Sequence, residues 1–409
     1  MRILISFVMV LSFAACVRQP PRPVSIACNY SKHAEALQLD FSDIVPPKPG
    51  IAVASTKAAK PMSKLQRLLR DTMAPKSQMK NSPSENILIL SGGGQVGAYG
   101  AQFLKGMSEQ EPARLANVGI VTGISTGALI APFVIIGDYD GAVEAYTITA
   151  ETDIVKRKGL TALLKQRAIL DKSPLIARYA GYFAPGGADG RFQQLKARLS
   201  DPNGPTLEIG VVNLDDERFY TVDINSIFGD ADLSDDGKFA CFQKTVLASA
   251  AVPIAFEPEF IDGNAYMDGG ARLSVFINEV NTAMKATTGS QTEVYVLVNS
   301  TLTQRSKTPP QNLDGETLGA FNIAAKSVDI LSNQVKNTSI RSIINQLSAS
   351  GTPFFVAAAN QRVGDVPCPD NANGLLGQGF DPIFMTCLRE RAGVHWQNGI
   401  NSAFVYNFP

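Results

Sequence analysis

The stretch Val118-Gly-Ile-Val-Thr-Gly-Ile-Ser-Thr-Gly-Ala-Leu-Ile130 constrains this chain more than any other. Its apolar, β-branched opening, Val118 to Val121, reads as a buried strand. Gly123-Ile-Ser-Thr-Gly127 follows in the form G-x-S-x-G, and Ala128 to Ile136 is apolar and suited to continue as a helix. The elbow glycines, Gly123 and Gly127, permit a sharp strand-to-helix turn without Cβ clashes. Such a turn raises Ser125 Oγ clear of the sheet at a helix N-terminus, where backbone N–H groups face developing negative charge. The bare pattern also fits ordinary turns. Its strand–turn–helix context makes Ser125 a candidate nucleophile.

A second glycine-rich stretch stands upstream. Ile87-Leu-Ile-Leu90 suits a central parallel strand, and Ser91-Gly-Gly-Gly-Gln-Val-Gly97 opens a helix running to about Met107. Gly92 to Gly97 also satisfies G-x-G-x-x-G, so a dinucleotide site must be weighed. That site needs an acidic residue at the end of the next strand to hold the ribose. Here the next strand ends in Gly123-Ile-Ser125, while Glu109 and Glu111 come earlier and read as solvent residues at a helix end. The competing use is an oxyanion hole. Gly92, Gly93 and Gly94 can expose backbone N–H groups without side-chain obstruction, and both motifs lie at the carboxyl ends of parallel strands, which form one crevice.

Ser125 also needs a base. Asp268 in Asp268-Gly-Gly270, at a strand end, is the best candidate; alone it would read as a turn-forming Asp-Gly. A carboxylate is a weak base, so the role requires it to be partly desolvated and its pKa raised.

Further along, helical stretches are expected from Ala142 to Tyr179, a strand over Thr206 to Leu214, and a helix from Phe239 to Ala251 stopped by Pro253. Val294 to Val298 reads as a strand and Leu318 to Leu347 as helix. Phe354 to Ala358 is expected as a last strand and Asp381 to Trp396 as a last helix. Strands alternating with helices indicate an α/β fold, a doubly wound, mainly parallel sheet covered by helices on both faces.

The three motifs, in this order, resemble those of patatin-like phospholipases. The resemblance covers about Asn86 to Trp396, with Ala248-Ser-Ala-Ala-Val-Pro253 and Phe380-Asp-Pro382 inside it. It implies a three-layer sandwich, a Ser125–Asp268 dyad, an oxyanion loop at Gly92 to Gly94, and hydrolysis of fatty acyl esters of phospholipids or related lipids. No metal or organic cofactor is implied. One departure stands out: the family's loop commonly begins with Asp and carries Arg before its last Gly, where this chain has Ser91 and Val96. A lipid-binding scaffold with weakened catalysis is therefore a second reading.

The chain contains two histidines, His33 and His395. Ser125, Asp268 and His395 occur in the order of an α/β-hydrolase triad, which is a rival mechanism. His395 otherwise reads as a satisfied or exposed helix-end residue, and His33 as solvent-exposed. Lys156 to Arg167 mixes cations with leucines; it reads as a solvated helix face, the alternative being guidance of anionic headgroups.

The remaining expectations concern location. Residues 1–15 read as a signal peptide, with an apolar run too short for the about 20 residues that span a bilayer. Small residues directly before Cys16 resemble a bacterial lipobox, which implies lipidation of Cys16 and a membrane surface as partner; ordinary export after Ala15 is the alternative. Residues 16–85, rich in Pro, read as a tether or extension, within which 61–73 suits a basic amphipathic helix, and 86–409 as the catalytic domain. Export permits disulfides. Cys28, Cys241, Cys368 and Cys387 allow three pairings; Cys368–Cys387, flanking a Gly/Asn-rich loop, is preferred, and Cys241 reads as a buried small hydrophobe. Lys+Arg and Asp+Glu are both 37, which removes the electrostatic support for nucleic-acid binding.

Overall fold

A computed structural model describes residues 22–36, 86–158, 168–187, 189–275, 292–302, 320–362, 365–369 and 379–408. The signal peptide, Cys16 and the amphipathic segment 61–73 lie outside the described residues.

An N-terminal strap carries α1 (Tyr30–His33) and β1 (Ala34–Ala36). The chain then runs β2 (Asn86–Leu90), α2 (Gly97–Gln110), α3 (Pro112–Ala116), β3 (Val118–Gly123), α4 (Thr126–Ile136) and α5 (Tyr139–Ala145). A small strand pair, β4 (Lys156–Arg157) and β5 (Leu170–Asp171), precedes α6 (Ser173–Phe183) and α7 (Arg191–Ser200). Next come β6 (Thr206–Asn213), β7 (Phe219–Asp223), α8 (Ile224–Gly229), α9 (Asp235–Ser249), β8 (Glu259–Ile261) and β9 (Asn264–Asp268). The C-terminal part holds β10 (Val294–Val298), α10 (Ala320–Ser350), β11 (Phe354–Ala358), α11 (Pro382–Trp396), α12 (Ile400–Ala403) and β12 (Tyr406–Phe408).

The main sheet has the order β1-β7-β6-β3-β2-β10-β11-β12. Its central strands β6, β3, β2, β10 and β11 are parallel, while β7, β1 and β12 pair antiparallel at the edges. Every residue of β2, β3, β10 and β11 is buried, as a parallel sheet covered on both faces requires. Alternate side chains go to opposite layers. Leu88, Leu90 and Leu297 pack with Tyr99, Phe103 and Trp396 of α2 and α11. Ile87, Ile89, Val294 and Val296 pack with Ile340, Ile343 and Leu347 of α10. The architecture is thus a helix–sheet–helix sandwich. The one Trp closes the larger layer: a Cβ at Gly106 would fall 2.4 Å from its ring, and its Nε1 donates to the Phe103 carbonyl at 2.9 Å.

Several sequence expectations are corrected here. The helical stretches expected from Ala142 to Tyr179 are present as α5 and α6, but the strands β4 and β5 come between them. Phe354–Ala358 is not the last strand, because β12 adds to its far edge; a three-residue edge strand carries no periodic signal. Part of the segment read as a tether is docked. β1 pairs with β7, and Asp262 accepts from the backbone N–H groups of Cys28 and Tyr30 at 2.7 and 2.6 Å. Cys241 is not an unpaired small hydrophobe but is disulfide-bonded to Cys28; a second disulfide joins Cys368 and Cys387. His33 is buried rather than exposed, with its ring nitrogens bonded to Ser226 and Asp230.

Candidate active site

β3 ends at Gly123 and the chain turns at once into α4, with Ser125 at the apex. Its backbone takes φ 53 and ψ −121, a region that costs a non-glycine residue about 1–3 kcal/mol. The surroundings hold it there. Ser125 N–H donates to Ser249 Oγ at 2.9 Å, and Ser249 Oγ donates to the Gly210 carbonyl at 2.6 Å. The Ser125 carbonyl accepts from Ala128 and Leu129 in the first turn of α4. Close packing explains the flanking glycine: a Cβ at Gly127 would lie 2.2 Å from the Leu90 carbonyl oxygen.

Asp268 reaches Ser125 through the sheet. β3 pairs with β6 from Thr206 to Ile209, and β9 takes over the same edge of β6 from Val211, opposite Asp268. The carboxylate therefore arrives where β3 stops and the elbow begins. Asp268 N–H donates to the Ala251 carbonyl at 3.0 Å, and its Oδ1 accepts from Gly270 N–H at 2.7 Å. The Ser125 side chain acts on this carboxylate in the direction that favours its charged form. Both residues are buried. Burial pushes the Asp268 pKa from the ordinary 3.8 up to about 6, against the opposing effects of Ser125 and Gly270.

The glycine loop lies against the serine, since a Cβ at Gly92 would stand 3.0 Å from Ser125 Cβ. Gly93 has no room for any side chain; its Cβ would fall 1.6 Å from the Asn299 carbonyl oxygen. Asn299 is a residue the motifs did not reveal. Its N–H donates to Ser91 Oγ at 2.9 Å and its side-chain amide to the Ser91 carbonyl at 2.7 Å, so the serine in the family's Asp position anchors the loop to the end of β10. Thr126 Oγ1 donates to the Gly94 carbonyl at 2.8 Å and so joins loop to elbow. Among the described residues, the N–H groups of Gly92, Gly93 and Gly94 make no backbone hydrogen bond and are free to meet an oxyanion. Ser249 was likewise missed as a positioning residue, although it lies inside Ala248–Pro253.

Two cavities meet at this point. One, of about 370 Å³, is walled by Leu129, Phe133, Tyr179, Val252 and Phe256. The other, of about 440 Å³, is more polar and includes Asp268, Ser300, Ser332 and Lys336. Ser125, Gly93, Gly94 and Val96 line both. Val96 therefore contributes apolar wall where the family carries a cation.

The triad reading fails on geometry. His395 is buried in α11, with Nδ1 bonded to the Tyr99 hydroxyl at 2.9 Å and Nε2 to Asp365 at 3.0 Å. Both ring nitrogens are thus engaged away from Ser125. Burial lowers the His395 pKa, with the hydrogen bond to Asp365 acting the other way. The dinucleotide reading also lacks its acid: Glu109 is exposed at the end of α2 and Glu111 pairs with Arg114, away from both cavities. Of the basic run, Arg157 pairs with Glu151 and Lys158 with Glu257; residues 159–167 lie outside the described residues. Among the described residues no group of His, Cys, Asp or Glu is arranged to hold a metal ion, and no helix is long and apolar enough to cross a membrane.

Strand, strained serine and abutting glycine loop define an α/β domain of the nucleophile-elbow type. Residues 88–280 match the family model for patatin-like phospholipases, a span that takes in the glycine loop, the elbow and Asp268. Residues 88–280 thus carry a patatin-like phospholipase domain, which supports a lipid acyl hydrolase in general. It is also similar to the crystal structure of VipD from Legionella pneumophila, at 14% identity over 76% of this chain and 68% of that one, with a TM-score of 0.34. No curated protein matches the chain.

Proposed function

We propose that the protein hydrolyses fatty acyl esters of phospholipids through a Ser125–Asp268 dyad. The observation that carries this reading is that Ser125, at the apex of the elbow, lines an apolar cavity of about 370 Å³, within the range of ligand pockets, and shares the adjoining cavity with the buried Asp268. Asp268 accepts the Ser125 proton as Oγ attacks the ester carbonyl. The oxyanion so formed is met by the N–H groups of Gly93 and Gly94, with Gly92 beside them. The C–O bond to the glycerol side breaks, the departing alkoxide takes the proton from Asp268, and the acyl chain stays on Ser125 in the apolar cavity. Water then gives a proton to Asp268 and attacks the acyl-enzyme, releasing the fatty acid and restoring Ser125.

The same proposal includes export and lipid attachment at Cys16. The disulfides Cys28–Cys241 and Cys368–Cys387 favour an oxidising compartment. Mass spectrometry of the N-terminal peptide tests the attachment: a diacylglyceryl adduct on Cys16 supports it, and a bare thiol refutes it.

The decisive experiment is fatty-acid release from mixed phospholipids together with labelling by a fluorophosphonate probe. The wild type is expected to do both, and Ser125→Ala neither, with loss of rate of about 10⁴-fold or more, as for removal of other serine nucleophiles. A wild type that binds lipid but takes no label would establish the scaffold reading instead.

A further inference from the structure

The second cavity opens on the same serine and takes in Asp268, but ester cleavage gives no role to its other end, toward α10. Lys336 and Asp268 are the charged side chains among its described lining residues. Lys336 sits on α10 four residues before Ile340, in the stripe continued by Ile343 and Leu347 that packs under the sheet. The stripe is apolar where it meets the sheet and becomes cationic where it reaches the end of the strands and the cavity. That placement brings the ammonium to the mouth of the site rather than to bulk solvent, and it stays half-buried there. Its Nζ donates to Asn333 Oδ1 at 2.7 Å, which leaves further protons for an anion. Hydroxyls of Ser300 and Ser332 line the same space. A half-buried ammonium amid hydroxyls is costly without an anion and complements a phosphate. Burial accordingly lowers the Lys336 pKa, a cost that a bound anion would offset.

We propose that this cavity is the subsite for the phosphate of the substrate's headgroup, with Lys336 as its cationic determinant. It rests on the phospholipid reading and deepens it: the acyl chain enters the apolar cavity, the ester carbonyl lies at Ser125, and the phosphodiester turns toward α10. Asp268 lies at the serine end of the cavity and repels the phosphate from that end, so the two charges set the direction in which a phospholipid binds.

The test compares the full chain with Lys336→Gln and Lys336→Arg on dioleoylphosphatidylglycerol and dioleoylglycerol in mixed detergent micelles. The ratio of kcat/KM on the phospholipid to that on the diacylglycerol should fall about ten-fold or more in Lys336→Gln, as for loss of one charge-assisted hydrogen bond, and should largely return in Lys336→Arg. An unchanged ratio overturns the proposal. Binding of a diether phosphatidylglycerol to the Ser125→Ala chain, with and without Lys336→Gln, decides the question even where the wild type hydrolyses neither lipid. Weaker binding on loss of Lys336 supports the subsite, and equal binding refutes it. Complete displacement of the diether lipid by millimolar inorganic phosphate would make the cavity a free-phosphate site and overturn the headgroup assignment.

Discussion

Thr126 Oγ1 donates to the carbonyl oxygen of Gly94 at 2.8 Å, so the residue that follows the candidate nucleophile also holds the loop that faces it. Elbow and loop are one unit, and Asn299 ties Ser91 of the loop to the end of β10. Hydrogen bonds within the protein itself set their spacing. This is the preorganisation that electrostatic stabilisation of an oxyanion needs.

Thr126→Val should therefore act on rate more than on binding. It removes one hydrogen bond, about 0.5–1.5 kcal/mol, and leaves the Gly94 carbonyl only the Gly97 N–H while keeping the side-chain volume. Ester-hydrolysis kinetics should record a several-fold fall in kcat with KM little changed, and Thr126→Ser should restore the rate. Equal changes in KM alone would place the loop outside catalysis.

Asp268 sets the pH dependence. A base with a pKa of about 6 must lose its proton to act, so kcat/KM should rise as pH passes through about 6 and level off above it. The stability effect has the opposite sign. The folded state binds this proton more tightly than the unfolded chain, so stability falls as pH rises from about 4 to above 6, by roughly 3 kcal/mol at most for a pKa raised from 3.8 to about 6. Asp268→Asn, inactive as an enzyme, should melt above the wild type at alkaline pH and lose that advantage in acid. Thermal melts across pH check it.

His395 carries stability and not chemistry. Its ring bridges Tyr99 of α2 and Asp365 beneath α11, so His395→Ala leaves a buried carboxylate and a buried phenol without that partner. Unfolding in urea should show a loss of about 2–5 kcal/mol. The folded fraction should keep its activity on a short-chain ester within a few-fold, whereas a triad would lose several orders of magnitude.

The strap depends on its disulfide. Cys28–Cys241 closes a loop of 213 residues in sequence, and its removal should cost about 2–5 kcal/mol. A paired Cys28→Ala, Cys241→Ala variant should melt lower while retaining kcat at low temperature, because neither cysteine lines the cavities at Ser125. Calorimetry with parallel assays checks both halves.

The elbow, the glycine loop and the Asp-Gly-Gly turn were legible in the chain because each is a local device. Glycines within a few residues of Ser125 or Asp268 decide the backbone path there, and the apolar runs beside them fit buried parallel strands. The partners of these motifs were not legible. Asn299 and Ser249 each lie more than a hundred residues from the group they hold, and nothing in their own neighbourhood marks them. His33 and Cys241 were misread for the same reason: Asp230 and Cys28 come to them only when the strap docks on α9 and β7. Spacing along a chain controls local turns, because those depend on a few consecutive dihedrals. Which distant side chains then meet depends on strand order, and here β9 following β3 along the edge of β6 carried Asp268 to Ser125.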